Sequence, residues 1–271
     1  MKTLLVSLMT LALTLPAAAQ SSRALPIDFG GETFTIESRA LGETRRINVY
    51  RPMAYGESEG AARPVLCMPD GGVAEDFVHV AGLVNIGVLN GTMRPVLLVG
   101  IENTQRRRDM TGPTTVDTDR RIAPVVGGSA AFRAFIRDEL IPEIERRYAT
   151  TDERAIVGES LAGLFVVETF MLEPALFDTY IAFDPSLWWN ANQIVEHARE
   201  HLSPAMAGRT IYLANSDEPT IAGLTIRLAG LLTAESRARV VYQPMGRESH
   251  ATIYHPAALL AFRRLFAPPA E

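Results

Sequence analysis

The chain has 271 residues, of which 47% are hydrophobic, and it carries a formal net charge of −5. This apolar fraction is enough for a globular core, and the negative charge argues against nucleic acid or an anionic membrane surface as a partner. The single cysteine, Cys67, cannot form a disulfide within one chain, so the fold must be stable through its core.

The first twenty residues have the pattern of a secretory signal peptide. Lys2 is followed by an apolar stretch over residues 4–15 and then by Ala17-Ala18-Ala19, an A-x-A cleavage site. A transmembrane anchor is less favoured because the apolar stretch is shorter than about 18 residues. We therefore predict a signal peptide over residues 1–19 and a single domain over residues 20–271. The mature protein is expected to be secreted or periplasmic, with no stable membrane insertion.

Beyond this segment, β-type and helix-type runs alternate along the chain. Two antiparallel edge strands are predicted first, and six further strands follow, each with helical segments between or after them. The predicted strands cover residues 32–39, 45–50, 65–68, 96–101, 154–157, 180–183, 210–214 and 240–243. Apolar residues recur at helical spacing over residues 132–148, which predicts an amphipathic helix packed on the sheet. The alternation predicts an α/β fold with a mostly parallel central sheet and helices on both faces.

A glycine-flanked serine stands between one predicted strand and the helix-type run after it. The segment is Gly158-Glu159-Ser160-Leu161-Ala162-Gly163. Strand, serine and helix in this order are typical of the nucleophile elbow of α/β-hydrolases, in which the two backbones nearly touch and leave room for small residues only. The second small position is alanine rather than glycine, which is still small enough. Ser160 is therefore the predicted nucleophile, and the alternative is an ordinary tight turn.

The predicted general base is His250. In an α/β-hydrolase the acid and then the histidine follow the serine along the chain. Of the five histidines, His250 lies in a polar loop between the last predicted strand and the last predicted helix, where this fold places its base. His255 is the alternative, although the neighbouring Pro256 is typical of a helix start.

The acid is expected after the preceding strand, where two carboxylates compete. Asp217 and Glu218 both follow residues 210–214, and either could orient the imidazole while the other caps the next helix. Asp184, after the strand at 180–183, is a more distant alternative. The residues themselves leave this choice open.

Several motifs in a fixed order resemble one family of α/β-hydrolases. They are V-L-C-M-P-D-G at 65–71, the loop at 99–111, the helix at 132–148, the elbow, and A-F-D-P-S-L-W-W at 182–189. The loop resembles I-x-N-T-x-R-x-R-D-x-T, and the last string matches S-P-S-x-W-W except that Asp184 stands where serine is usual. The chain resembles the esterase family that includes esterase D and the bacterial enterobactin-type siderophore esterases.

The resemblance implies roles for further residues. Glu218-Pro219 stands where siderophore-type members have Glu-Pro, which favours Glu218 over Asp217 as the acid, and His250-Ala251 stands where His-Gly is common. It also implies a serine esterase acting on small-molecule esters such as a siderophore lactone or an aromatic or carbohydrate ester. An acyltransferase with the same triad, or a non-catalytic binding protein on the same scaffold, are the alternatives.

The remaining site residues are predicted to hold the oxyanion and the substrate. The Leu161 amide and an amide of Gly71 or Gly72 are expected to form the oxyanion hole. Arg106 and Arg108 are two residues apart, which in an extended segment puts both on one face, where they could hold an anionic or catecholate group.

One of the adjacent Trp188 and Trp189 is expected to line the site. The irregular segment at 110–128, rich in Thr, Pro and Gly, could form a mobile flap beside it. No metal-ligand spacing or phosphate-binding loop is found in the sequence, so no metal or cofactor is predicted.

Overall fold

An eight-stranded sheet forms the centre of the protein in a computed structural model that describes residues 30–269 except 55, 57 and 59. Its spatial order is β1-β2-β4-β3-β5-β6-β7-β8. The strands are β1 (Gly31–Ser38), β2 (Glu43–Tyr50), β3 (Arg63–Pro69), β4 (Leu97–Ile101), β5 (Thr150–Glu159), β6 (Thr179–Phe183), β7 (Thr210–Asn215) and β8 (Arg239–Pro244). The predicted signal peptide lies outside the described residues.

The sheet is antiparallel at one edge and parallel elsewhere. β1 pairs with β2, and β2 pairs with β4, in antiparallel register. All pairs from β4 through β3 to β8 are parallel. This arrangement confirms the predicted α/β-hydrolase fold class, and all eight predicted strands are present. The largest difference is in β5, which begins at Thr150 rather than at residue 154.

Helices cover both faces of the sheet. They are α1 (Phe77–Leu89), α2 (Arg106–Asp109), α3 (Asp117–Ile122), α4 (Ser129–Phe135), α5 (Ile141–Arg147), α6 (Leu161–Leu172), α7 (Trp189–Glu196), α8 (Pro219–Glu235) and α9 (Tyr254–Leu265). A π-helical turn at Ile136–Leu140 joins α4 to α5, so the helix predicted at 132–148 is present as one continuous helical segment. The stretch at 110–128 contains only α3. No helix in the described residues is long and apolar enough to cross a membrane.

Two hydrophobic cores lie on opposite faces of the sheet. Alternate side chains of β3 show this directly, since Val65 and Cys67 belong to one core while Leu66 and Met68 belong to the other. The first core lies beneath α4 to α8, and the second lies beneath α1 and α9. Because both faces of the central strands are covered, the sequences of these strands are continuous apolar runs and do not alternate between apolar and polar residues.

A buried ion pair fixes the segment after β4 to strand β2. Arg45 of β2 and Asp109 of α2 are both fully buried, with Arg45 Nη1 2.5 Å from Asp109 Oδ2. Arg45 also donates to the Glu102 carbonyl at 2.9 Å. Arg108 extends the network, because it donates to Asp109 Oδ1 at 2.7 Å and to Glu43 at 2.7 Å. Its hydrogen bond lowers the pKa of Glu43 to about 2.

Removing one partner of this pair should destabilise the fold strongly. Asp109→Asn leaves the guanidinium of Arg45 buried with a weaker partner, which should cost about 3 kcal/mol of unfolding free energy in urea denaturation. The matched control is Glu235→Gln, which removes an exposed ion pair with Arg199 and should leave the denaturation midpoint almost unchanged. Equal effects of the two changes would contradict a structural role for the buried pair.

Candidate active site

Ser160 lies in a strained turn between β5 and α6. Its backbone has φ +60° and ψ −120°, a left-handed conformation that is uncommon for any residue with a side chain. A Cβ atom on Gly158 would lie only 2.6 Å from the carbonyl carbon of Ala162. Ala162 itself is fully buried. The crowding that the sequence predicted is therefore present, and alanine fits at the second small position.

His250 lies beside this serine. The loop between β8 and α9 carries it, and its Nε2 is 3.1 Å from Ser160 Oγ. The alternative, His255, is part of α9 and hydrogen-bonds His79 at 2.9 Å. The structure thus brings together Ser160 and His250, the pair expected from the sequence.

The carboxylate that contacts His250 is Asp184, at the end of β6. Asp184 Oδ2 is 2.9 Å from His250 Nδ1, on the side of the ring opposite to Ser160. The residue is fully buried, and it accepts hydrogen bonds of 2.5 Å from both the amide and the hydroxyl of Ser216. Its backbone has φ +41°, a second left-handed residue in the site. Three donors therefore fix the orientation of this carboxylate.

The structure contradicts the expectation that Glu218 holds the imidazole. Its side chain instead accepts a hydrogen bond from the Ile221 amide at 2.6 Å and caps the N-terminus of α8. Asp217 is exposed, and its backbone amide donates to the Glu248 carbonyl. The resemblance to Glu-Pro members thus favoured a residue that caps a helix in this chain.

The adjacency of β6 and β7 explains how a carboxylate after either strand can reach His250. The two strands are parallel neighbours, with Phe183 paired to Ala214. The Asp184 amide donates to the Ala214 carbonyl at 2.8 Å, so the carboxyl ends of the strands meet at one edge. The sequence signal was the aspartate at a position where the family usually has serine. Ser216, which holds the carboxylate, carried no comparable signal.

Electrostatics favour a charged Asp184 and a basic imidazole. Burial acts to raise the pKa of Asp184, but hydrogen bonds from His250 and Ser216 outweigh it and hold the pKa below its ordinary value. The hydrogen bond from Asp184 raises the pKa of His250 above its ordinary value, against the opposing effect of burial, and the charge of Glu159 adds to the increase. This combination suits a histidine that must take up a proton.

Glu159 is a site residue that the sequence analysis did not identify. It ends β5, directly before Ser160, and its Oε1 is 3.4 Å from His250 Nε2. Burial raises its pKa to about 7, although the charges of His250 and Arg106 act to lower it. The only sequence signal was its position between Gly158 and Ser160.

The amides predicted to bind the oxyanion differ in whether they already have a hydrogen-bond acceptor. Leu161 is the first residue of α6, so its amide has no acceptor within the helix. The Gly71 amide instead donates to the Ile101 carbonyl at 2.9 Å, and the Gly72 amide donates to Glu75 Oε2 at 2.6 Å. Position 71 needs a glycine for steric reasons, because a Cβ atom there would lie 2.2 Å from the Gly100 Cα.

The two predicted arginines do not share a face. The segment that carries them is the helical turn α2 rather than an extended strand. Arg106 forms a two-point contact with Asp70 at 2.6 and 2.8 Å and lies close enough to Glu159 for their charges to interact. Arg108 belongs to the buried network with Glu43 and Asp109. Only Arg106 therefore lies next to the candidate site.

The two tryptophans also differ. Trp189 is 5% exposed, and its indole donates to the Gly112 carbonyl at 2.9 Å, so it anchors the segment at 110–128. Trp188 is partly buried and packs against the core. After them, Asn190, Ala191 and Asn192 form a left-handed turn, with φ between 49° and 63°.

A cavity of about 550 Å³ opens beside the loop that follows β3. Gly72, Val73, Glu75 and Asn103 line it together with residues of β1 and β2. Asn103 connects the cavity to the site, since its side chain donates to Asp70, the partner of Arg106. Within the described part of the chain, no cluster of three or more His, Cys, Asp or Glu residues could hold a metal ion.

The fold and this hydrogen-bonded arrangement are those of an α/β-hydrolase. The chain belongs to the family described as "Putative esterase", whose family model matches residues 38–254. It is 32% identical over 193 residues to the ferri-bacillibactin esterase BesA of Bacillus subtilis, a match that covers 64% of each chain. It is 35% identical over 99 residues to the siderophore triacetylfusarinine C esterase of Aspergillus fumigatus, covering 35% of this chain and 32% of that protein.

A solved structure extends the similarity to most of the chain. The crystal structure of an IroE-like serine hydrolase from Shewanella oneidensis superposes with a TM-score of 0.78 at 28% identity, covering 87% of this chain and 80% of that one. The match to each of the two curated relatives spans less than two thirds of that relative's length.

Replacing the carboxylate at Asp184 should make Ser160 far less reactive. Asp184→Asn removes the charge that orients and stabilises the imidazole, so fluorophosphonate labelling of Ser160 should slow by roughly three to four orders of magnitude. Glu218→Gln should change the labelling rate little and should cost about 1 kcal/mol of stability, because it weakens a helix cap. Labelling followed by mass spectrometry measures both rates, and the reverse order of effects would make Glu218 the acid.

Proposed function

We propose that the protein is a serine hydrolase that cleaves the ester bonds of siderophores, with Ser160, His250 and Asp184 as its catalytic triad. The observation that carries this proposal is the continuous hydrogen-bond chain, 3.1 Å from Ser160 Oγ to His250 Nε2 and 2.9 Å from His250 Nδ1 to Asp184 Oδ2. Its geometry matches the arrangement by which unrelated serine hydrolases activate their nucleophile.

The chemistry follows from the positions of these atoms. His250 Nε2 takes the proton from Ser160 Oγ while the oxygen attacks the carbonyl carbon of the ester. The imidazolium, stabilised by Asp184, then gives this proton to the departing alcohol, which leaves an acyl group on Ser160. In the second half, His250 takes a proton from water, the resulting hydroxide attacks the acyl group, and Ser160 recovers its proton as the acid departs.

The negative oxygen of each tetrahedral intermediate needs backbone donors. The Leu161 amide at the N-terminus of α6 supplies one donor, and the helix dipole supports it. The Gly72 amide supplies a second donor only after it releases Glu75 Oε2, its acceptor at 2.6 Å. Substrate binding and the departure of the Glu75 side chain are therefore coupled in this proposal.

The substrate class rests on the relatives. Their names describe esterases for ferri-bacillibactin and for triacetylfusarinine C, which are both siderophores. The cavity of about 550 Å³ next to Gly72 and Asn103 could accept one arm of such a large ester. A hydrolase for siderophore esters fits both the family and the space beside the site.

Purified protein should hydrolyse short-chain para-nitrophenyl esters and at least one siderophore ester, and a fluorophosphonate should label Ser160. The measurement is product release by chromatography, with the labelled residue identified by mass spectrometry. Ser160→Ala should abolish both activities because it removes the nucleophile. Ser186→Ala is the matched control, since the Ser186 hydroxyl lies 3.5 Å from Ser160 Oγ, whereas the two His250 nitrogens are bound to Ser160 and Asp184. Labelling at another residue, or no ester hydrolysis by the wild type, would contradict the proposal.

We further propose that the protein acts outside the cytoplasm. The support is the sequence pattern at residues 1–19, a lysine and an apolar stretch before an A-x-A site. Fractionation of cells that express the full chain should find the protein in the periplasm or the medium, with a new N-terminus near Gln20. Retention in the cytoplasm with Met1 in place would contradict this proposal.

A further inference from the structure

Glu159 places a second carboxylate against the imidazole, on the side of the nucleophile. Its Oε1 is 3.4 Å from His250 Nε2, the same nitrogen that lies 3.1 Å from Ser160 Oγ. The side chain is largely buried, with 17% of its surface exposed. Within the described part of the chain, no donor forms a hydrogen bond to its carboxylate. Because this carboxylate and Ser160 Oγ lie against the same imidazole nitrogen, a substrate that reaches Ser160 comes close to Glu159.

The neighbouring cations do not balance this charge. Arg106 is held by both oxygens of Asp70, at 2.6 and 2.8 Å. Arg108 is committed to Glu43 and Asp109, away from the site. Asp184 and Glu218 act on His250 as further negative charges. The surroundings of the serine are thus rich in carboxylates, and the nearest arginine is already paired.

We infer that Glu159 is a specificity-determining residue that disfavours esters with a negative charge close to the scissile carbonyl and favours neutral or cationic ones. This inference rests on the proposed ester hydrolysis and concerns the charge of the substrate at that site. A negative group a few ångströms from a largely buried carboxylate is repelled more strongly than it would be in water. Among siderophore esters, those with neutral arms are accordingly preferred to complexes with a net negative charge near the ester.

The charge of Glu159 should also depend on pH in the neutral range. Burial raises its pKa to about 7; His250 and Arg106 act to lower it, and Asp184 and Asp70 act to raise it. Asp76 and Tyr254 complete the titratable groups on this side, with Asp76 near pKa 6 because of its burial and Tyr254 close to Asp70, Asp76 and Glu159. Discrimination against anions is therefore strongest above pH 7 and fades below it, as the carboxylate takes up a proton.

Three para-nitrophenyl esters of equal chain length test the inference. Their acyl chains end in a carboxylate, in its methyl ester and in a trimethylammonium group. The wild type should rank them cation, neutral, anion in kcat/KM at pH 8. Glu159→Gln keeps the shape of the side chain and removes its charge. In this variant the ratio of kcat/KM for the anionic ester to kcat/KM for the neutral ester should rise about tenfold. The control Asp217→Asn removes the exposed carboxylate of a residue whose backbone amide is bonded to Glu248, in the loop that carries His250. This change should leave the ranking of the three esters unchanged.

The pH dependence provides a second measurement on the unmodified protein. The anion-to-neutral ratio of kcat/KM cancels the titration of His250, because both esters react only with the protein in which His250 is neutral. In the wild type the ratio should rise as the pH falls from 8.5 to 7, and in Glu159→Gln it should stay flat over this range, in which Asp76, with a pKa of about 6, remains charged. A constant wild-type ratio, an unchanged ranking in Glu159→Gln, or an equal effect of Asp217→Asn would overturn the inference. If the wild type hydrolyses none of the three esters, the proposed function itself fails, and this inference fails with it.

Discussion

The buried carboxylate of Asp184 is the constraint on which the candidate site depends. It lies fully buried at the end of β6 and is held by the amide and hydroxyl of Ser216 and by His250. A buried charge is tolerated only when such donors satisfy it. Because those donors come from the loops after β7 and β8, the carboxylate also holds together three strand ends that form the site. The orientation of His250 towards Ser160 follows from this arrangement.

The position of Asp184 shows that either of two neighbouring strands can bring a carboxylate to His250. β6 and β7 are parallel neighbours, so their last residues end side by side. An imidazole delivered by the loop after β8 can thus contact a carboxylate from either strand. In this chain the residue after β6 fills that place, and Glu218 after β7 is left to cap α8. Which carboxylate contacts the imidazole depends on contacts in space that spacing along the chain does not determine.

The sequence predicted the parts of the molecule that are determined locally. Patterns within short segments predicted all eight strands, the small residues around Ser160 and the choice of His250. The structure has these strands, the crowded turn at Gly158 and the contact between His250 and Ser160. The residues whose roles the sequence did not predict correctly are held by partners far away along the chain. Arg108 is held by Glu43, which lies 65 positions earlier in the chain, and Asp184 is held by Ser216, 32 positions later. The role of Glu159 emerges only when His250 is brought against it.

We propose that Asp184 holds the imidazole of His250 in the orientation that activates Ser160. Proton NMR reports on this contact, because a proton shared between a buried carboxylate and a histidine Nδ1 resonates downfield of the amide region. We expect one such resonance, coupled to the Nδ1 of His250, which disappears in Asp184→Asn and persists in Glu218→Gln. A resonance that survives in Asp184→Asn and vanishes in Glu218→Gln would show that Glu218, and not Asp184, holds the imidazole.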